Sequence, residues 1–473
     1  MARMRARSTS WTRRRFLGTT AAVTLGFVAY RRAFQQSIEA IASTGTAARG
    51  YGVPIEDPAA VVDLPSGFQY EVVARVGDEM TDGLLVPGLP DAMAAFPGSD
   101  GRTIVVCNHE CLGAQGPFGP GNERLARISA SKLYDLGAGV TPCAGGTTTF
   151  VWDTRTQSLV SHHLSLAGTL RNCAGGATPW GSWLSCEESV LTQGFKKEEC
   201  LQLQKNHGYV FEVPARETAS IADPIPLAAM GRFMHEAVAV DPRSGIVYQT
   251  EDRADGLIYR FIPTVRGDLR AGGRLQALAL ANGARDLRNW PGEEAHAQVG
   301  EKYAVRWIDM DDIEAPNDDL RTRGYCMGAC RFARGEGMWM GEREVYFVCT
   351  EGGRAQIGQV FRYAPSAHEG SPAESESPGH LELFIEPNDP TRVRNPDNVV
   401  VTPWGDIMLC EDHMGTDVRI VGVTPSGALY TFARARIPGE FAGATFSPDG
   451  STLFVNIQQS GVTLAITGPW RTS

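Results

Sequence analysis

The chain has 473 residues, of which 42% are hydrophobic and 21% charged, so it can bury a large core and lacks the composition of a disordered polymer. Its formal net charge is -10, which argues against a sequence-independent nucleic-acid binder, because such a protein needs excess Lys and Arg to displace counterions from phosphates. An acidic chain suits a protein that holds cations.

At the N-terminus, Thr12-Arg13-Arg14-Arg15-Phe16-Leu17 leads a short, weakly apolar run from Gly18 to Tyr30, which Arg31 and Arg32 close. This resembles a twin-arginine export signal. It implies the twin-arginine export machinery as a partner and a periplasmic or extracellular location. The run is shorter than the roughly twenty residues that cross a bilayer, so no stable membrane span is expected unless the signal is retained. Residues 1–48 are therefore read as signal and linker, and 49–473 as a single domain.

The next elements are short strands. Gly67 to Val76 reads as a strand that can close a ring by pairing near Leu464 to Thr467. A repeated unit then begins, a Pro-x-Gly turn, an apolar strand and an acidic pair, close to that pattern in the copies at Thr178 and Thr402, looser at Asp241 and Ser447, and degenerate at Phe96 and Gly341. It runs from Phe96-Pro97-Gly98 to Asn108-His109-Glu110, from Thr178-Pro179-Trp180-Gly181 to Glu187-Glu188, and from Asp241-Pro242 to Glu251-Asp252. Later copies run from Gly341-Glu342 to Thr350-Glu351, from Thr402-Pro403-Trp404-Gly405 to Glu411-Asp412, and from Ser447-Pro448-Asp449-Gly450 to Gln458. Second strands follow at Gly208 to Pro214, Gly256 to Pro263 and Gln359 to Ala364. Short β-branched and aromatic strands between Gly, Pro and Asp turns predict an all-β, six-bladed β-propeller with a central metal site. Ala271 to Gln298 and Ser366 to Pro378 read as exposed insertions, either of them a candidate lid.

Cysteine usage is mixed. Ten cysteines in an exported chain ordinarily suggest disulfides. Cys107, Cys186, Cys349 and Cys410 each end an apolar run, however, where a buried small hydrophobe is expected. Pairing of Cys326 with Cys330, or of Cys107 with Cys111, stays open.

Aligning the six units on the turn proline, or on its counterpart Glu342, puts Asp91, Cys173, Glu236, Glu336, Asp397 and Ala442 six positions earlier. All but Ala442 are potential metal ligands. Equivalent positions at the start of each blade's innermost strand converge on the axis, and carboxylates gathered there need compensating cations. Hard oxygen donors favour calcium, manganese or ferric iron, whereas the Cys173 thiolate favours a softer or redox-active metal. A mixed or multinuclear centre is expected. A second layer of acids, Glu110, Glu188, Glu251, Asp252, Glu351 and Asp412, follows the next strands. Which of them point inward is open, since a one-residue register change flips a side chain. Glu188 is favoured by its pairing with the Cys173 segment.

The run Asn172-Cys173-Ala174-Gly175-Gly176-x-Thr178-Pro179-Trp180-Gly181-Ser182-Trp183-Leu184-Ser185-Cys186-Glu187-Glu188 resembles the signature of PhoX-type alkaline phosphatases. His235-Glu236-Ala237, Arg334-x-Glu336-Gly337, Pro396-Asp397-Asn398 and Phe446-Ser447-Pro448-Asp449-Gly450 resemble that family's later motifs in the same order. The resemblance implies a twin-arginine-exported propeller that hydrolyses phosphate monoesters with Fe3+ and Ca2+. It implies Cys173, Glu236, Glu336 and Asp397 as metal ligands, with Arg334 on the substrate phosphate. Glu188, Asp91 and Glu110 complete the expected metal set, and Asn108 and His109 are candidates for substrate contact or proton transfer. The chain is shorter than that family's characterised phosphatases, so loops that shape the pocket or supply outer ligands are expected to be missing.

Two other functions fit the residues. One is a calcium-dependent propeller hydrolase of another ester class, a lactonase or phosphodiesterase. The other is a non-catalytic propeller whose metals only brace the ring. Metal content and a substrate panel separate the three. No nucleotide-binding Gly-rich loop, Gly-x-Ser-x-Gly elbow or zinc-type Cys-x-x-Cys pairing is present.

Overall fold

The structure is a computed structural model that describes residues 50–471 apart from 114, 140, 198–200, 293–295, 414 and 416. The twin-arginine segment lies outside the described residues. The described chain is all-β in a propeller-like arrangement, and Leu320–Met327 is its one α-helix among those residues. No helix among the described residues is long and apolar enough to cross a membrane.

The repeated turns fold alike. Gly181, Gly245, Gly405 and Gly450 take φ values of 84°, 76°, 90° and 71°, a left-handed conformation that glycine adopts at little cost. A backbone hydrogen bond closes each of these turns: Thr178 N donates to Ser182 O and Thr402 N to Asp406 O, both at 2.8 Å, and across one more residue Asp241 N donates to Ile246 O at 2.9 Å and Ser447 N to Thr452 O at 2.8 Å.

Each turn joins an inner strand to its antiparallel partner. The inner strands are Pro90–Pro97, Asn172–Ala177, His235–Val240, Gly335–Met340, Pro396–Val401 and Phe441–Phe446. Their partners are Arg102–His109, Ser182–Glu187, Val247–Glu251, Val345–Cys349, Ile407–Glu411 and Thr452–Ile457. Each inner strand packs against the next, and Phe441–Phe446 packs back against Pro90–Pro97. Gln69–Arg75 pairs with Val462–Thr467, Tyr70 opposite Ile466, so the predicted closing strand forms and becomes the outer strand of the last four-stranded sheet. Lys302–Asp309 bridges Asp268–Leu280 and His380–Ile385, fusing two meanders into one ten-stranded sheet.

Both expected insertions are corrected in part. Ala271–Leu280 belongs to the strand Asp268–Leu280, whose second half is buried because it lies between two sheet partners. The segment around Ser366–Pro378 carries a short 3-10 helix, Pro372–Glu376. Glu369 and Glu374 grip the buried Arg260 guanidinium at 2.6 Å, which fastens the segment down.

All six inner strands share one irregularity. Pro90 faces His109 and Met93 faces Cys107, so three steps on the inner strand match two on its partner. The same bulge follows Asn172, His235, Gly335, Pro396 and Ala442. A bulge bends the strand and re-aims the side chain beside it. Ala92, Ala174, Ala237, Gly337 and Gly443 keep the bulges small. A Cβ on Gly337 would stand 2.6 Å from Asp397 O, and one on Gly443 2.3 Å from Asp91 O. The inner backbones therefore meet, leaving along the axis a cavity of only ≈ 20 Å³, room for a single water at most. The middle of the axis therefore has no room for a substrate.

Candidate metal centre

Asp91, Cys173, Glu236, Glu336 and Asp397 are each the second residue of an inner strand and the first of its bulge, whereas in the last strand the bulge follows Ala442, so Gly443 and not the expected Ala442 holds that place. Asp91, Cys173, Glu236 and Glu336 are buried, and Asp397 is half-buried. Ligand atoms of Cys173, Glu188 and Glu236 lie within 4.8 Å of one another, as do those of Glu236, Glu336 and Asp397. Glu236 belongs to both groups, so the groups form one continuous cluster.

Register decides which outer acids join it. The first residue of an inner strand pairs with His109, Glu187, Glu251 and Glu411 on the neighbouring strands. These side chains turn into the sheet wall. Glu251 accepts from Leu257 N and Tyr259 Oη, and Glu411 from Arg394 N and from the Arg419 backbone and guanidinium. The residues one further on are Glu110, Glu188, Asp252 and Asp412, which alternation turns toward the axis. In the fourth unit Cys349 faces Gly335, so Thr350 takes the inward position and donates to Pro396 O at 2.6 Å. Of the six second-layer candidates, then, Glu251 is outside the cluster, and Glu351 sits one residue past it, 3.8 Å from Arg334.

Two arginines bracket the cluster. Arg334 donates through Nε and Nη2 to Asp252 at 2.9 and 3.2 Å, and through Nη2 to Glu336 at 2.6 Å. Its Nη1 meets Glu351 and Asp412 only at 3.8 and 3.9 Å. Arg171 donates to Glu110 at 2.9 Å and also pairs with Glu188. Sequence reading did not single out Arg171, yet a signal existed: Arg171-x-Cys173 repeats the spacing of Arg334-x-Glu336. Both arginines hold a left-handed backbone, φ 45° and 55°, just before the strand. Glu440, close to Asp412, was also missed, because it precedes an inner strand whose register position is an alanine.

The acids exceed what two guanidinium groups balance. Burial, then Glu110 and Asp397, push the Asp91 carboxyl well above its ordinary range. Burial with acidic neighbours does the same to Glu188, Glu236 and Glu336. Asp397 rises to about 8, through burial and Asp412, and Glu440 to about 11, through burial and its hydrogen bond with Asp412. The Cys173 thiol is raised by burial, Glu236 and Glu188. Arg334, beside Glu336 and Asp252, stays protonated. Without added positive charge these acids take up protons. Multivalent cations reverse that, since an ion favours carboxylate and thiolate over their neutral forms. The residues fit such ions: Asp91 Oδ1 is buried with no hydrogen-bond partner among the described residues, while Oδ2 is held by Gln458 at 2.8 Å. The same amide donates to Glu110 at 3.0 Å.

Asn108 is placed differently from expectation. Its amide nitrogen donates to Cys173 O and Ala174 O at 3.2 and 2.7 Å, and its oxygen accepts from Trp183 and Ser185 at 2.8 and 2.9 Å. Every polar position is spent on neighbouring strands. His109 is held between Gly88 O and Thr148 Oγ1, and burial lowers it to about 4. Cys107, Cys186, Cys349 and Cys410 are buried free thiols as expected, and Cys111, Cys326 and Cys330 are also unpaired.

Residues 49–461 match the family described as alkaline phosphatase PhoX. The chain belongs to the PhoX family. It is, by that membership, an enzyme of the phosphatase class. The structure resembles that of Pseudomonas fluorescens PhoX in complex with vanadate, a transition state analogue, with a TM-score of 0.63 and 17% identity over 88% of this chain and 97% of that one. At this identity the likeness speaks for the fold. A gluconolactonase from Xanthomonas campestris aligns over 90% of this chain and 100% of its own at 13% identity, but its TM-score of 0.37 carries no weight. Among curated protein sequences none matches.

Proposed function

We propose that this PhoX-family protein hydrolyses phosphate monoesters at iron and calcium ions held by Cys173, Glu188, Glu236, Glu336 and Asp397, with Asp91 and Glu110 as further ligands. The observation that carries the reading is the pair of ligand groups sharing Glu236, beside an arginine with one nitrogen only loosely engaged. A carboxylate common to two ligand groups would suit a multinuclear centre, and a thiolate among oxygens would suit iron beside calcium. Such ions supply Lewis-acid stabilisation of phosphoryl oxygens and lower the pKa of bound water.

The protein's own groups do the rest. Asp252 and Glu336 fix the Arg334 guanidinium through Nε and Nη2, so Nη1 is left to hold a phosphoryl oxygen while charge builds up on it. Arg171 aims Glu110 and Glu188 at the centre. Asn108 is a positioning residue: by binding two carbonyls of the Cys173 bulge and two donors of the next strand, it fixes where the Cys173 sulfur stands.

In this reading the ring is a six-bladed propeller, the ten-stranded sheet counting as two blades linked by Lys302–Asp309, and 49–473 is one domain. Residues 1–48 direct twin-arginine export to the periplasm or beyond, where small phosphate esters are met. The Pseudomonas fluorescens PhoX complex with vanadate supports the substrate class. The test is elemental analysis beside hydrolysis of a chromogenic phosphomonoester, with and without calcium, for wild type and Cys173→Ala. Iron plus calcium, with activity that the substitution abolishes, is expected. Calcium without iron and turnover of another ester overturns the reading in favour of a lactonase or phosphodiesterase, and an inert metalloprotein in favour of a binding propeller.

A further inference from the structure

A second buried cluster of metal-ligand type lies one residue behind the centre. Ligand atoms of Asp135, Cys143 and His207 fall within 4.8 Å of one another, and all three residues are buried. His207 Nδ1 stands 2.7 Å from Glu187 Oε1, and Nε2 stands 3.4 Å from Asp135 Oδ2. We propose that Asp135, Cys143 and His207 bind a divalent d-block cation of the zinc type, with Glu187 as the carboxylate behind the histidine. This inference does not depend on the phosphatase reading.

Four features support it. First, a metal-ligating histidine nearly always donates its other ring N–H to a carboxylate, which fixes its tautomer and orientation. Glu187 stands where that acceptor is needed. Second, the gap of 3.4 Å between Nε2 and Oδ2 is long for a strong hydrogen bond, so Asp135 does not fully engage the ring nitrogen that would face an ion. Third, the carboxylates are held in place by backbone donors. Asp135 Oδ2 accepts from Gln204 N at 2.7 Å and Lys205 N at 2.9 Å, and Oδ1 from Gly137 N at 2.8 Å, which leaves a lone pair of Oδ1 for the ion. Glu187 accepts from Leu170 N and Gly208 N, both at 2.9 Å. Fourth, Cys143 packs with Leu170, Leu201 and Leu203, a dry surround in which a neutral thiol is favoured unless a cation takes up the sulfur's charge. Loading preserves net charge, because the ion brings two positive charges as imidazolium and thiol each release one proton.

The cluster has a consequence for the centre. Glu187 precedes Glu188, and Leu170, which donates to Glu187, precedes Arg171. An ion at His207 would tie the loops around Asp135 and Gln204 to the two residues that set the Glu188–Arg171 pair. The donor set of imidazole, thiolate and carboxylate, without the ring of oxygens that calcium takes, gives the site a metal preference unlike that proposed for the centre.

The test begins with the full exported protein, incubated with equimolar zinc, dialysed and analysed for metals. About one zinc per chain is expected in wild type and in Cys173→Ala, and none in Cys143→Ala. Because Cys143→Ala can fail to fold, Cys173→Ala is also titrated with cobalt(II). A thiolate-to-cobalt charge-transfer band saturating at one equivalent supports the site. Wild type that retains no zinc, a Cys173→Ala protein without the band, or zinc retained undiminished by folded Cys143→Ala overturns it.

Discussion

Adjacent acidic residues at the ends of the same strands have opposite roles. Glu187 and Glu411 turn into the sheet wall and are satisfied by backbone N–H groups, a histidine or an arginine, and Glu251 turns the same way, with Oε2 held by Leu257 N and Tyr259 Oη and Oε1 without a hydrogen-bond partner among the described residues. Glu188, Asp252 and Asp412, one residue on, turn to the axis, where like charges crowd together and, among the described residues, Arg171 and Arg334 oppose them. Burial alone therefore does not make a metal ligand. A buried carboxylate with its own donors holds strands together, whereas one left short of positive charge takes up a proton or a cation.

The comparison breaks first at Glu236, which both ligand groups share. Outer-shell partners of a metal are worth about 10–100-fold in affinity or activity, so Glu236→Gln, a ligand change, is expected to lower phosphomonoesterase activity by at least ~100-fold and to strip metal from the centre. Steady-state kinetics beside elemental analysis checks this, and a variant retaining both would remove Glu236 from the centre.

On the wall side, Glu411→Gln leaves the Arg419 guanidinium without its charge partner. Breaking a buried pair costs about 3–5 kcal/mol, which denaturant unfolding will read, while metal content per folded chain is expected to stay constant. Loss of metal from the folded variant would erase the distinction between the two positions.

Glu251 sharpens it through pH. Burial raises its carboxyl to about 7, above the ordinary value, so the folded state binds this proton more tightly than the unfolded chain does. Stability from this group is complete below the unfolded value near 4.5, falls as pH rises toward 7 and is level above that. The change is on the order of 3 kcal/mol. Replacement by Gln is expected to flatten that part of the stability–pH curve, measured on the protein with its metals bound. An unchanged curve would assign the slope to other groups.

The smallest effect is expected at Asn108. Asn108→Ala leaves the Cys173 and Ala174 carbonyls and the Trp183 N–H short of a partner, at about 1–3 kcal/mol for an unsatisfied buried group. The thermal midpoint should fall, and kcat should fall with KM little changed if Asn108 only positions Cys173. A KM effect alone would point instead to substrate contact.

Much of the site was legible because the chain repeats itself. Aligning the turn prolines, with Glu342 standing for one of them, singled out Asp91, Cys173, Glu236, Glu336 and Asp397, and in each of those five strands that residue is the first of the bulge. The closing strand was legible too, as an apolar run before the first unit. Arg171 and Glu440 were not singled out: one lies before a strand and the other before a strand with alanine at the register position, so their roles depend on neighbours distant in sequence. The segment from Ala271 was misread as an insertion because its small and polar residues resemble a loop, and its burial comes only from the strands on either side.

By itself the sequence determined the period, the turn chemistry and which residue types recur at equivalent positions, because local steric and hydrogen-bonding preferences act within a few residues. Only the tertiary structure decided which acid of each pair faces the axis and which is bound into the wall. That choice depends on a one-residue strand register, and register is set by bulges and partners that meet only when the ring has closed.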